Sequence, residues 1–146
     1  MAVHVDPSRT GAVSGGADSV VRAFALAGGP APALAARAAH ALPQGGTADV
    51  AVRPDGRVLA SAHWDHRVRL WDYRRQRPLA VLNYHAASLT ALAFSPEAAW
   101  RDAGADGEGP ADDGWERPPA LLASAGRDAA IALWSVYLPP GAAALH

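Results

Sequence analysis

Hydrophobic and polar residues alternate along several short segments of the chain, a pattern that predicts β-strands. The alternation is clearest in RVRLW (67–71) and LAVLN (79–83). In the middle of the chain, three strands are predicted at residues 49–53, 58–62 and 67–73. The first two are joined by PDG, a turn sequence in which proline presets φ and glycine permits a positive φ. The 14 glycines and 12 prolines favour many turns and short strands over long helices.

This three-strand unit recurs along the chain. In each copy a serine is followed four residues later by an aspartate, and six residues after that by an aromatic residue. A further strand precedes the unit, for example PLAVLNY before the third copy. Four short strands in a unit of about 45 residues are typical of a β-propeller blade. The three copies are Ser14, Asp18 and Phe24; Ser61, Asp65 and Trp71; and Ser124, Asp128 and Trp134.

The repeat resembles the WD-repeat family. Trp71-Asp72 is the dipeptide that gives the family its name, and His40 and His85 occupy the place of its Gly-His histidine, preceded here by Ala39 and Tyr84. The resemblance implies that His, Ser, Asp and Trp form a buried hydrogen-bonded tetrad in each blade. The expected tetrads are His40, Ser61, Asp65 and Trp71, and His85, Ser124, Asp128 and Trp134. The first copy holds a partial set, Ser14, Asp18 and Phe24.

Such a tetrad satisfies every buried polar group in it. The aspartate accepts from the imidazole N–H, the other ring nitrogen accepts from the serine hydroxyl, and the serine oxygen accepts from the indole N–H. The expected fold is therefore all-β: a partial WD-repeat β-propeller of about three blades, each a four-stranded antiparallel sheet. Its first and last blades are expected to be incomplete, as in the C-terminal fragment of a seven-bladed ring.

The predicted units have definite boundaries. Residues 1–27 form an incomplete first blade, 31–73 a second blade and 78–137 a third, and 138–146 form a flexible tail. The third unit contains an insertion, 97–118, with seven acidic and two basic residues. A segment so rich in Gly, Ala and like charge cannot bury enough apolar surface to fold, so disorder is expected there.

The segment His63-Trp64-Asp65-His66 is the one candidate for chemistry. Two histidines flanking a carboxylate could bind a metal, but that site needs a third ligand, and the repeat already explains Asp65. Two interpretations without a metal or catalytic role are favoured. The segment either packs within the blade or forms an exposed turn in which His63, Trp64, His66 and Arg67 contact a partner protein. On the opposite face, Arg74, Arg75 and Arg77 are expected either to form a solvated turn, which can pair with the acidic insertion, or to contact phosphate or an acidic partner.

Charge and composition narrow the function classes. The net charge is −1 and there is no cysteine, so neither a nucleic-acid footprint nor a thiolate metal site is expected. No apolar run is long enough to cross a membrane. No phosphate-binding loop, nucleophile elbow or zinc-protease motif occurs. We therefore expect no catalytic residue, cofactor, metal or small-molecule substrate, and no direct contact with nucleic acid or membrane.

A narrower resemblance lies in the C-terminal half. WDHRVR (64–69), RPLAVL-YH (77–85) and IALWS-Y (131–137) are similar to the last two blades of the ASTRA-associated protein 1 family, whose animal relative is the guanine nucleotide-binding protein β-subunit-like protein. The resemblance implies a nuclear, non-enzymatic scaffold in a multi-subunit, chromatin-linked complex, associated with the maturation of phosphatidylinositol-3-kinase-related kinases. Two alternatives stay open: a G-protein-β-like signalling scaffold, and a metal-dependent hydrolase using His63, Asp65 and His66.

Overall fold

The computed structural model describes residues 1–28, 33–96 and 120–136, which form three antiparallel sheets and no α-helix. None of these residues therefore lies in a helix that could cross a membrane. The expected all-β class is confirmed. The strands are β1 (Ala2–Val5), β2 (Gly11–Gly15), β3 (Val20–Ala27), β4 (Ala33–Ala41), β5 (Thr47–Val52), β6 (Val58–His63), β7 (Arg67–Asp72), β8 (Arg77–Asn83), β9 (Leu89–Phe94), β10 (Ala120–Gly126) and β11 (Ile131–Val136).

The strand order corrects the predicted blade boundaries. Strand β4 pairs with β3, and β8 pairs with β7, so each of these strands completes the sheet of the preceding unit. The first sheet is therefore β1-β2-β3-β4 with four strands, where an incomplete blade was expected, and the second is β5-β6-β7-β8. The units 31–73 and 78–137 are offset from the sheets by one strand, because consecutive strands joined by a short turn pair with each other. The insertion 97–118 and the tail 138–146 lie outside the described residues.

The three sheets pack face to face in chain order. Strand β5 contacts β1 and β2 on one side and β9 on the other, so the first strands of the sheets lie side by side, as blades do around a propeller axis. Strand β6 is buried along its whole length because its two faces serve two different cores. Leu59 belongs to the core shared with the first sheet, and Val58, Ala60 and Ala62 to the core shared with the third.

The backbone repeats together with the sequence. The turns between the second and third strands of the three sheets each place a non-glycine residue in the left-handed region: Ser19 (φ 57°), His66 (φ 69°) and Ala129 (φ 59°). These residues are equivalent in the repeat, each directly following the repeated aspartate. The aspartate supports the turn, since Asp128 Oδ1 accepts a hydrogen bond of 3.2 Å from the Ala130 amide. His66 is therefore the residue of the β6–β7 turn with a left-handed backbone conformation.

The outer face of the third sheet exposes residues whose counterparts are buried. Ile131 and Leu133 are 72% and 69% exposed, whereas the equivalent residues of the second sheet, Val68 and Leu70, are 1% and 7% exposed. The difference arises because the second sheet packs on the third, while no sheet among the described residues covers the third. The first sheet shows the same feature on its outer side, at the exposed Val3 and Val5.

Candidate functional site

The third sheet contains a complete polar network. His85 lies in the loop after β8, with Nδ1 3.0 Å from Asp128 Oδ2 and Nε2 2.9 Å from Ser124 Oγ. The indole N–H of Trp134 donates to the same serine oxygen at 2.9 Å. Burial alone would raise the pKa of Asp128, but hydrogen bonds from the Ala86 amide, the His85 ring and another backbone amide lower it to about 2. All four residues of the second predicted tetrad are thus brought together.

This network has the atom order of a Ser-His-Asp triad but lacks the access that a nucleophile needs. The Ser124 side chain is buried, at 1% exposure. Its oxygen already accepts the Trp134 indole hydrogen and lies 2.9 Å from the His85 Nε2 atom, so the hydroxyl is engaged inside the fold. The arrangement instead leaves each buried polar atom with a partner, which is what a sheet-to-sheet interface requires. The network is therefore a structural element of the fold.

In the second sheet a different histidine completes the network, and the prediction for His40 was wrong. The ring of His63 approaches Ser61 Oγ at 2.8 Å through Nε2 and Thr47 Oγ1 at 3.3 Å through Nδ1. The Trp71 indole donates to Ser61 Oγ at 3.0 Å. His40 lies on β4, where it stacks on the Trp71 ring with centroids 4.4 Å apart and makes a 3.0 Å hydrogen bond to a glutamine side chain.

The loop before β5 explains this exchange. Aligning the proline-ended segments places Pro43 where the third sheet has His85, and His40 lies three residues too early. At the position equivalent to His63 the third sheet has Gly126, where a Cβ atom would lie 2.9 Å from the Nδ1 atom of His85. One pocket is thus filled from the strand in the second sheet and from the loop in the third. The glycine was the sequence signal that could have distinguished the two.

The repeated aspartate also has two kinds of partner. Asp65 accepts hydrogen bonds from both terminal nitrogens of Arg69, at 3.0 and 2.6 Å, and lies beside no histidine Nδ1 as the tetrad required. Burial would raise the pKa of Asp65, but Arg69 lowers it. In the first sheet Asp18 pairs in the same way with Arg22, at 2.6 Å. An arginine four residues after the aspartate is the signal that sequence reasoning missed.

The first sheet has no tetrad, and the partial set predicted there does not assemble. Ser14 and Phe24 are only half-buried, and Asp18 is exposed and bonded to Arg22. A phenyl ring has no N–H to donate, so no buried indole demands a serine acceptor in this sheet. The physical reason for the network is absent there.

His63 is fully buried at 0% exposure, which corrects its assignment as a partner contact. Burial and the nearby positive charge of Arg69 lower its pKa to about 4, so the ring is neutral at pH 7. His63 is committed to Ser61 and Thr47, and His66 lies in the exposed corner of the turn. Among the described residues, no group of three or more His, Cys, Asp or Glu side chains could hold a metal ion. The proposed hydrolase site at His63, Asp65 and His66 therefore does not form.

Trp64, in the β6–β7 turn, is a large apolar side chain with 46% exposure. Its amide donates to the Gly46 carbonyl and its carbonyl accepts from the Ser88 hydroxyl, both at 2.9 Å, so its turn is tied to two neighbouring loops. The indole separates a depression of about 540 Å³ from one of about 620 Å³. His66 and Arg67 are also exposed and line the larger depression. We call Trp64, His66 and Arg67 the tryptophan turn.

The predicted arginines lie at the opposite end of the sheets, in and after the β7–β8 turn. Asp72 caps this turn by accepting from the amides of Arg74 and Arg75, at 3.0 and 2.8 Å. The guanidinium of Arg75 pairs with the same carboxylate at 3.2 Å. Arg74 and Arg77 are exposed and make no ion pair within the part of the chain that the structure describes.

Comparisons with known proteins agree with this architecture. The family described as "WD domain, G-beta repeat" matches residues 39–72 and 76–135. Guanine nucleotide-binding protein subunit beta-like protein 1 of Mus musculus is 33% identical over 140 residues, which are 96% of this chain and 36% of that protein. ASTRA-associated protein 1 of Schizosaccharomyces pombe is 32% identical over 92 residues, 63% of this chain and 19% of that protein.

A solved structure, that of U3-55K, superimposes with a TM-score of 0.67 over 92% of this chain and 35% of that one, at 17% sequence identity. The chain therefore shares the fold of that protein. It spans well under half the length of both curated relatives. From the repeated sheets and the family match together, the chain belongs to the WD-repeat family, whose members generally act as non-enzymatic scaffolds.

Proposed function

We propose that this protein is a scaffold of a multi-subunit nuclear complex of the ASTRA type, in which it supports the maturation of phosphatidylinositol-3-kinase-related kinases. The observation that carries this proposal is the similarity to ASTRA-associated protein 1, found in several fungi at 29–34% identity. The buried polar networks in two of the three sheets support this role, because they hold the sheets rigid and so fix the turns that would contact partner proteins.

The contact surface of the scaffold is the tryptophan turn. A half-exposed indole offers a large apolar area with little side-chain entropy to lose, and tryptophan and arginine dominate the energetics of protein interfaces. The depressions on both sides of Trp64 give a partner two places to insert apolar groups. The hydrogen bonds from Ser88 and to Gly46 hold the turn in position before binding, which lowers the cost of ordering it.

A second candidate is a G-protein-β-like signalling scaffold, favoured by the name of the mouse relative. Affinity capture with the tagged chain separates the two. Recovery of kinase-assembly co-chaperone subunits supports the first, and recovery of Gγ-like chains supports the second. Trp64→Ala should reduce capture about tenfold or more. Leu79→Ala, a truncation of another exposed apolar side chain, should not. Equal capture by both variants would exclude the tryptophan turn as the contact surface.

A further inference from the structure

A cleft of about 370 Å³ opens between the first and second sheets, at the end opposite the tryptophan turn. Its walls are the β1–β2 turn, the β5–β6 turn and the start of the β7–β8 turn, and Arg37 reaches into it from β4. We call it the arginine cleft. Pro7, Pro54 and the ring of Tyr73 give it apolar walls, and Arg37 and Arg74 supply its positive charge.

The floor of the cleft is fixed by a buried carboxylate. Asp6 is 3% exposed and accepts hydrogen bonds from the Tyr73 hydroxyl at 3.0 Å, the Ser8 hydroxyl at 2.6 Å and the Thr10 amide at 3.1 Å. The Tyr73–Asp6 bond joins the two sheets. Burial and the neighbouring Asp6 raise the pKa of Tyr73 to about 12, so the phenol keeps its proton and its place.

Arg37 is held at the rim in a defined orientation. One terminal nitrogen donates to the Arg74 carbonyl at 2.7 Å, and the guanidinium carbon lies 5.5 Å from the centre of the Tyr73 ring. These contacts use one of the five N–H donors of the side chain and leave the others for a ligand. A guanidinium fixed in this way loses little entropy when it binds a carboxylate.

The two arginines that line the cleft, Arg37 and Arg74, make no ion pair within the described ranges. Arg22 and Arg69 pair with aspartates at the other end of the sheets, and Arg53 and Arg75 pair with Asp55 and Asp72 at this end. Most of the described arginines that make no ion pair also lie at this end of the sheets, and Arg127 lies at the other end. Those at this end are Arg9, Arg37, Arg57, Arg74 and Arg77.

Besides the buried Asp6 beneath the floor, the acid whose side chain lines the cleft is Asp55, and it does not cancel this charge. Asp55 is bonded to the Arg53 guanidinium at 2.9 Å and to the Arg57 amide at 2.9 Å, so its negative charge is already compensated. We propose that the arginine cleft binds an acidic segment of a partner protein, with a carboxylate seated between Arg37 and Arg74. The inference rests on the proposed function only in taking the partner to be a protein.

The cleft suits a peptide better than a nucleic acid. Its volume admits a few residues, and proline and tyrosine walls offer contact to side-chain stems between the carboxylates. Carboxylates accept the paired N–H groups of arginine in a planar, two-bond arrangement. A nucleic acid would require a longer basic track, and the chain as a whole carries a net charge of −1.

Binding of a fluorescein-labelled oligoglutamate peptide to the full chain at low ionic strength, followed by fluorescence anisotropy, tests the proposal. Arg37→Gln and Arg74→Gln should each weaken binding about tenfold, because each removes a charge-assisted contact. Arg127→Gln, the same charge change at the other end, should change affinity less than about twofold. Arg37 and Arg74 are exposed, so unchanged thermal unfolding is expected for these variants.

Three results would overturn the proposal: no peptide binding by the parent chain, equal weakening by all three substitutions, or tighter binding of oligothymidylate than of oligoglutamate. The Trp64→Ala variant keeps this test separate from the proposed scaffold function. It should bind the peptide normally even where it fails to capture the complex, because the tryptophan turn lies at the opposite end of the sheets. Peptide binding lost in Trp64→Ala would also contradict the placement of the site.

Discussion

Acidification from pH 7 to pH 4 should destabilise the fold, in part through the buried ring of His63. The ring is buried and neutral, with Ser61 and Thr47 on its two nitrogens and the Arg69 charge nearby. Its pKa is lowered from 6.5 to about 4 in the folded chain, first by burial and then by Arg69. Between these values the unfolded chain binds a proton that the folded chain excludes. The free energy of unfolding therefore falls as the pH falls.

The size of the effect follows from the two pKa values. At 1.36 kcal/mol per pKa unit, the exclusion of this proton costs about 3 kcal/mol of stability once the pH has reached 4. That is a large share of the 5–15 kcal/mol that holds a typical domain together. Urea unfolding followed by tryptophan fluorescence at several pH values between 7 and 4 measures it, since Trp71 and Trp134 both lie in the packed sheets.

The matched variants are His63→Gln and His66→Gln. His63→Gln removes the titrating ring, so its stability should fall by about 3 kcal/mol less than that of the parent over this pH range, whatever its stability at pH 7. His66→Gln changes an exposed histidine in the same turn and leaves His63 in place, so it should behave as the parent does. If His63→Gln and the parent lost stability in parallel, the buried network described for the second sheet would be incorrect. Histidine NMR titration of the parent gives an independent reading.

Two further pairs of substitutions use the repeat as their own control. Leu70→Glu places a charge in the core between two sheets and should cost more than about 3 kcal/mol in urea unfolding, whereas Leu133→Glu, at the equivalent exposed position, should cost less than about 0.5 kcal/mol. Gly126→Ala puts a Cβ atom 2.8 Å from a carboxylate oxygen of the buried network and should cost about 1–3 kcal/mol. Gly16→Ala, its counterpart in the first sheet, meets only one atom, at 3.7 Å, and should be nearly neutral. Equal effects within either pair would contradict the alignment of the repeats.

Much of the fold could be predicted because local sequence decides it. Alternation in 67–71 and 79–83 gave strands, and the recurring Ser, Asp and aromatic positions placed the three units. The alternation of residues does not show which neighbouring strand β4 and β8 pair with. In the predicted units the outer strand came first, so β4 and β8 were assigned to the units that follow them. In the structure each pairs with the strand before it in the chain, across a short turn, and so belongs to the preceding sheet.

The buried networks were harder to predict because they depend on where a ring can reach. The histidine in the network of the third sheet lies at the expected place, so His85 was predicted correctly. His40 failed because three extra residues separate it from β5, and its place on β4 points it towards the Trp71 ring. His63 was assigned to an exposed turn, although it is the last residue of the buried strand β6. Strand ends and loop lengths, which alternation defines poorly, decided all three outcomes.

Comparison of the three sheets explains the repeated spacing of serine and aromatic residue. An indole buried against a neighbouring sheet needs an acceptor, the serine supplies it, and the serine needs a histidine nitrogen in turn. The histidine enters from the strand where position 63 is a histidine, and from the loop where the equivalent position, 126, is a glycine that leaves room for it. In the first sheet Phe24 stands in place of the tryptophan. Because a phenyl ring has no N–H to donate, no buried acceptor is needed there and no network forms. The repeated residues are therefore the indole and the serine that accepts its hydrogen bond. The histidine that bonds to this serine comes from the strand in the second sheet and from the loop in the third.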